Sequence, residues 1–299
     1  MKRIALMLIA NLAIMIVLGI TWTILDATFG ISQMIESTFG VPGRFGFVAF
    51  FALILGFGGS FVSLLLSKWM AKRSMGVYVI EEAEDADERW LVETVHRQAR
   101  VAGIGLPEVG IFESPEPNAF ATGASKNNAL VAVSTGLLQH MNHDQVEAVL
   151  AHEVSHIANG DMITQALLQG VLNTFVMFFA RVIGYLVDKA ISGDEESSGF
   201  GIAYFITSII AEILLGFLAT AVVMWYSRRR EFYADAGGAH LAGKEKMISA
   251  LRALQHSEPY DLPGEMAAFG INGGLGDGIK RLFTTHPSLD DRIEALERL

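Results

Sequence analysis

Four long apolar runs, Ile4 to Leu25, Phe45 to Leu66, Met162 to Val187 and Phe200 to Tyr226, constrain this chain more than any other feature of it. Each has the roughly 20 residues that an α-helix needs to cross the ~30 Å hydrocarbon core of a bilayer. The rest of the composition agrees. With 52% hydrophobic residues, 18% charged residues and a mean hydropathy of +0.40, the chain reads as an integral membrane protein with a modest polar part. The first run follows Lys2 and Arg3, is longer than a signal-peptide core and has no small-residue cleavage site after it, so it reads as a retained span. Four segments result: 1–73 with the first two spans, a polar 74–161, 162–226 with the last two spans, and a polar 227–299.

Side chains within the runs suggest how the spans meet. Gly56, Gly59, Ser60 and Ser63 give small-xxx-small spacings at which another helix can approach closely. Gln165, Gln169 and Asn173 form a polar stripe that must face protein or water, either as interhelical hydrogen bonds or as a cavity lining. Glu212, on a stripe with Ser208, Gly216 and Thr220, is costly at mid-membrane. It is expected to face the third span, neutral or paired with Arg181 or Gln169, and is given no catalytic role.

The basic residues set the topology. Lys2, Arg3, Lys68, Lys72, Arg73 and Arg228 to Arg230 flank one side of the spans, against Arg44 and Lys189 on the other. By the positive-inside rule both termini and both polar segments are cytoplasmic, and the loops Asp26 to Arg44 and Asp188 to Gly199 face out. A net charge of −10 argues against nucleic acid as a partner. The absence of cysteine excludes disulfides and thiolate metal sites, so any metal must be held by histidine and carboxylate.

Within the polar segment, Trp90 to Val101 reads as an amphipathic helix, with strands expected near Val109 to Phe112 and Ala129 to Val133, giving a small α+β domain. A further helix is announced by Asn142 and Gln145 as a capping box and stopped by Asn159-Gly160. It carries His152, Glu153 and His156 in the spacing H-E-x-x-H. Positions i and i+4 lie one turn apart on one face, so both imidazoles can reach one zinc ion while Glu153 flanks it.

Catalytic zinc takes three protein ligands and keeps one position open. After the fourth run, Glu231 and Asp235 stand one helical turn apart. Glu231 reads either as the third ligand, with Asp235 accepting a hydrogen bond from a liganding imidazole, or as a solvated partner of Arg228 to Arg230. His286, in Thr285-His286-Pro287-Ser288, is either a donor to a developing oxyanion or a turn residue ahead of a helix from Leu289 to Leu299 capped by Ser288. His96, His140, His143, His240 and His256 lack ligand spacing. His156 is six residues before Met162 and Glu231 five after Tyr226, which puts the expected metal within about 10 Å of the cytoplasmic membrane surface.

Together, H-E-V-S-H at His152, E-F-Y-A-D at Glu231, P-N-A-F-A-T-G at Pro117, T-H-P-S at Thr285 and two spans on each side of the first polar segment resemble the HtpX-type membrane zinc metalloproteases. These are bacterial relatives of the CaaX prenyl proteases. The resemblance covers nearly the whole chain without a departure at any motif position. It implies a four-span α-helical membrane protein with a mainly helical α+β, gluzincin-like peptidase domain in the cytoplasm, multi-pass in a bacterial inner membrane. It further implies one Zn2+ per chain held by His152, His156 and Glu231, with Glu153 as general base and acid, Asp235 behind a liganding histidine and His286 as transition-state stabiliser. Asn118 and Ala119 would lie on an edge strand that pairs with substrate backbone, a mode that recognises extended peptides through their main chain. The implied substrates are membrane proteins cut in cytoplasmic loops or tails during quality control. Two rivals remain: a processing peptidase dedicated to one substrate class, of the prenyl-protein or pro-peptide type, and a non-catalytic metal-binding membrane protein. Transport by the latter would need ionisable ligands at mid-membrane, whereas these lie outside the runs.

Overall fold

The computed structural model describes residues 2–39, 42–192, 201–255 and 286–299. His256, Thr285 and most of the expected outer loop before Gly201 lie outside the described residues. The chain forms two compact units, one of residues 1–60 and 169–219, the other of 61–168 and 220–299.

The first unit is helical. It contains α1 (Lys2–Phe29), α2 (Ile31–Phe39) and the apolar parts of α3 (Arg44–Ser74), α7 (Asp161–Ser192) and α8 (Ile202–Ala242). Among the described residues three helices are long and apolar enough to cross a membrane, over Phe45–Ser74, Asp161–Ile191 and Ile202–Ala242, and Ile16–Phe29 is a shorter apolar stretch. Gly56 makes the expected close approach, since a Cβ there would stand 2.6 Å from the backbone nitrogen of Thr174; Gly59 faces open space. The polar stripe on α7 satisfies itself in part along its own helix, Gln169 Nε2 donating to Asn173 Oδ1 at 2.7 Å, rather than between helices. Glu212 faces α7 as expected, 2.8 Å from Arg181 Nη1.

The second unit is built on a four-stranded sheet in the order β1-β2-β4-β3, where β1 is Tyr78–Val79, β2 Glu108–Phe112, β3 Ala119–Ser125 and β4 Asn128–Ser134. β2 and β4 are parallel and the outer pairs antiparallel, so β4 is paired on both sides and β3 forms an edge. That placement explains the sequences. β4 is buried from Ala129 to Ser134, a continuous apolar run suited to an inner strand, while β3 is small and irregular with a bulge between Gly123 and Ser125.

Helices cover the sheet and each starts on its own chemistry. Asp85 caps α4 (Ala86–Ala102), and Ser134 caps the short α5 (Thr135–His140). α6 (His143–Asn159) opens on the capping box of Asn142 and Gln145 and ends on Gly160 at φ 72°, a left-handed position that suits glycine. Its apolar face, including Leu150 and Ile157, joins a core with residues of α4, β4 and α9 (Lys244–Gln255). Burying each of these side chains contributes about 2–3 kcal/mol. α10 (Leu289–Glu297), capped by Ser288, packs against α9.

Candidate active site

Two glycines bring the site together. At Gly237 and Gly238, on the last turns of α8, an added Cβ would stand 2.6 Å from Ser155 Oγ and 3.2 Å from the His152 backbone nitrogen. The bare backbone therefore lets α8 lie against α6 at the H-E-x-x-H turn, and Glu231 and Asp235 come to rest over His152 and His156. All four are buried or nearly so, as is Glu153 at 5% exposure.

The ligand-spaced atoms converge. His152 Nε2 and His156 Nε2 are 3.1 Å apart, His156 Nε2 is 3.3 Å from Glu231 Oε1, and His152 Nε2 is 3.5 Å from Glu231 Oε2. Three donors at about 2.0–2.1 Å from one tetrahedral centre would be about 3.3–3.4 Å from each other, so the trio has the dimensions of a zinc site. Glu231 Oε2 lies 2.8 Å from His286 Nδ1 and 3.3 Å from Arg292 Nη1, yet none of these three buried atoms has a hydrogen-bond partner, because the contacts are close but misaligned. A buried carboxylate oxygen left in that condition is costly, and a cation at the centre of the trio would relieve it.

Behind each imidazole stands a carboxylate, and behind each carboxylate an arginine. Asp235 Oδ1 is 2.9 Å from His152 Nδ1, and Arg292 clasps Asp235 with two hydrogen bonds, Nε to Oδ2 at 2.8 Å and Nη2 to Oδ1 at 2.6 Å. On the other side His156 Nδ1 bonds Asp161 Oδ2 at 2.8 Å, and Arg230 Nε donates to Asp161. Such partners fix the ring orientation and leave each Nε2 turned toward the centre. Burial works against the charged forms throughout, and the neighbours outweigh it. Arg292 holds Asp235 down to about 2, His286 and Arg292 hold Glu231 well below the usual carboxylate range, and Asp161 and Glu231 lift His156 to about 10. The field thus favours positive charge at the ring nitrogens, a proton or a metal cation alike.

Sequence reasoning named His152, Glu153, His156, Glu231, Asp235 and His286 for this site, and the structure brings all six together. It missed Asp161 and Arg292. Asp161 is five residues beyond His156, just past the Gly160 stop, a position from which a side chain can turn back on the last helical turn. Arg292 gives no such signal. Asn118 and Ala119 stand at the start of the edge strand, but they differ in orientation. Asn118 turns its main chain inward, donating its N–H to Ser134 Oγ and accepting from Ser134 N at 2.8 Å. By alternation the main-chain groups that face the free edge are those of Ala119 and Ala121.

A family model for "Peptidase family M48" matches residues 85–299. The chain belongs to peptidase family M48. Full-length relatives agree: the peptidase is 58% identical over 301 residues to Protease HtpX of Thioalkalivibrio sulfidiphilus, covering 100% of this chain and 99% of that one. It is 55% identical to Protease HtpX of Alkalilimnicola ehrlichii over 298 residues, covering 99% and 98%. The fold is also that of the crystal structure of S. mikatae Ste24p, at a TM-score of 0.57 and 17% identity, with 92% of this chain matching 64% of that longer one. The peptidase is therefore a membrane-bound metalloprotease, and the group of His152, His156 and Glu231 is where it can bind a metal.

Proposed function

We propose that the peptidase is a zinc-dependent endopeptidase of the bacterial inner membrane that cuts membrane proteins in their cytoplasmic loops or tails, in quality control of misfolded or damaged chains. The observation that carries the zinc reading is the 3.1–3.5 Å triangle of His152 Nε2, His156 Nε2 and the Glu231 carboxylate. The bound metal would polarise the scissile carbonyl and acidify a water beside it. Glu153 takes the proton from the attacking water and returns it to the leaving nitrogen as the C–N bond breaks, with no acyl-enzyme. His286, whose Nδ1 lies against Glu231, has Nε2 left to steady the developing oxyanion. Ala119 and Ala121 pair with the main chain of an extended substrate. An antiparallel strand added there would run off β3 past Pro117, which lines a cavity of about 810 Å³.

The membrane reading takes α1, a helix of 28 residues, as a fourth span beside the three that length and composition support. The cytoplasmic placement of both termini and of the site rests on Lys and Arg at the span ends. Detergent-purified protein and its Glu153→Gln variant test the enzymology together. The variant should keep one zinc per chain and lose hydrolysis of an unfolded membrane-protein substrate. Parent-like hydrolysis would remove Glu153 from the mechanism, and loss of zinc would make it a ligand.

A further inference from the structure

The cavity of about 810 Å³ beside Pro117 shares no lining residue with the metal-binding group. Its walls come from the segment ahead of β3, with Glu116 and Pro117, from His140 at the end of α5, from Gln145 on the first turn of α6, and from α9, with Glu245 and Arg252. Glu116 is held firmly. It stands between Pro115 and Pro117, whose rings fix φ on either side of it, and its carbonyl accepts from Ser134 Oγ at 2.5 Å. Gly136 lets this segment lie against α5, because a Cβ there would stand 2.3 Å from the Pro115 carbonyl oxygen. The Glu116 carboxyl has no hydrogen-bond or ion partner among the described residues, and burial alone pushes its pKa up. Arg252, the cation on the wall, is instead paired with Glu297 at 3.1 Å, and His140 Nδ1 lies 2.7 Å from the Gly136 carbonyl oxygen. A carboxylate on a fixed backbone at a cavity wall, answered by no cation of its own, is placed to receive one.

The direction in which substrate crosses the site decides which side chain arrives. β3 runs beside α6 in the same sense: Pro117, just ahead of β3, shares the cavity with Gln145, while Lys126, just past its end, donates to the Ala158 carbonyl near the end of α6. His152 and His156 lie between those two levels on α6. A substrate strand antiparallel to β3 therefore meets the metal-binding group first and the cavity afterwards, so the cavity receives residues on the C-terminal side of the cut. Gln145 is roughly 10–16 Å along α6 from the two histidines, a span that an extended chain covers in about three to five residues. We propose that Glu116, assisted by the more exposed Glu245 on the α9 wall, makes the peptidase select substrates with lysine or arginine about three to five residues after the cut. The inference deepens the proposed endopeptidase function and rests on its pairing of substrate with β3. It also suits the substrates proposed there, since cytoplasmic segments beside membrane spans are rich in lysine and arginine.

Zinc-loaded, full-length protein in detergent is first given an unfolded membrane-protein substrate, and mass spectrometry locates a cut. Peptides spanning that cut then carry Lys, Gln or Glu at one position at a time on both sides of it. At one or more of the third to fifth positions after the cut, kcat/KM should favour Lys over Gln by about tenfold, the scale of one hydrogen bond to a charged group, and should disfavour Glu. Positions before the cut should show no such preference. Glu116→Gln should bring the Lys-to-Gln ratio to within about threefold of unity, and Glu116→Lys should turn the preference to the Glu peptide. Glu245→Gln, at an exposed position, should lower the ratio by less than about threefold. Ratios taken within one variant cancel differences in folding or zinc loading, and the parent's ratio decides the matter even if a variant fails to fold. A parent ratio near unity, or a preference left intact by both Glu116 substitutions, would overturn the proposal. So would a preference confined to residues before the cut, which would reverse the substrate's direction, or one equal at every position, which would assign it to the net negative charge of the protein. A parent that cuts no polypeptide would instead overturn the endopeptidase reading on which the proposal rests.

Discussion

The two histidines of the metal-binding group are held by arms of the same chemistry, imidazole to carboxylate to arginine, in different surroundings. In the arm of His152, Asp235 and Arg292 the side chains are 3%, 2% and 0% exposed; in the arm of His156, Asp161 and Arg230 they are 17%, 8% and 23% exposed. Both arms join three helices, the dry arm α6, α8 and α10 and the wetter arm α6, α7 and α8, but the wetter arm takes its carboxylate from the first residue of α7, right after the α6 stop, and its arginine from beside Glu231, so that only the dry arm reaches α10. A guanidinium wholly removed from water persists only when its partners are in place, so the dry arm fastens α10 to the site. The wetter arm orients its imidazole at less cost and supports less of the fold.

The largest consequence concerns the two arginines. Arg292→Met leaves Asp235 and Glu231 buried without their cation and should destabilise the protein by about 3–5 kcal/mol, whereas Arg230→Met removes a partly exposed guanidinium and leaves Asp161 still bonded to His156, and should cost less, about 1–3 kcal/mol. Arg292→Lys should rescue little, because a point charge cannot reproduce the two-pronged grip on Asp235. Thermal unfolding of the three variants in one detergent measures the difference. Equal losses for Arg292→Met and Arg230→Met would mean that exposure does not separate the arms.

Arg292 is also where sequence reasoning failed, and the reason is physical. In Leu289-Asp290-Asp291-Arg292-Ile293-Glu294 an arginine among acids looks like a solvated helix face, and only packing of α10 against its neighbours removes it from water. The motif on α6 was legible because its geometry is local: the capping box, the Gly160 stop and the i, i+4 spacing all lie within one helix. Spacing alone left Glu231 open between ligand and surface charge, since its position depends on Gly237 and Gly238 bringing two distant helices into contact. The strands divide in the same way. β4 showed itself as an apolar run, while β3, with Ala, Thr and Gly in A-F-A-T-G-A-S, has no clear alternation and was expected only through family resemblance.

A second, smaller effect should separate the carboxylates. Asp235→Asn weakens the partner of His152 in the dry arm and should lower metal affinity by 10–100-fold, read by zinc titration at one pH. Asp161→Asn, in the wetter arm, should lower it less than tenfold. The acid limb of stability sharpens the contrast. Arg292 depresses Asp235 to about 2 from an ordinary value of 3.8, so its contribution is present above the unfolded pKa and is lost as pH falls through about 2. That difference amounts to about 2 kcal/mol at most. The unfolding free energies of parent and Asp235→Asn should therefore converge by about this amount between pH 5 and pH 2, and a gap that stays constant would sever stability from the ionisation of Asp235.

If exposure governs what these ion pairs contribute, a cluster more exposed than either arm must contribute least. Glu108, at the start of β2, meets Lys68 at 2.9 Å and also pairs with Lys72, with side-chain exposures of 39%, 18% and 34%. Burial pushes its carboxyl up, and hydrogen bonds from both lysines more than offset that, so its pKa falls below the ordinary value. Solvent screening discounts the shift, and Glu108→Gln should cost about 0–1 kcal/mol. At 1 M salt, where the screening length is about 3 Å, that small loss should vanish, whereas the loss from Arg292→Met should survive because no ions enter its surroundings. Unfolding curves for the two variants at low and high salt make the measurement. A Glu108→Gln loss that matched Arg292→Met, or that persisted undiminished in salt, would show that partner geometry rather than access to water sets the strength of these pairs.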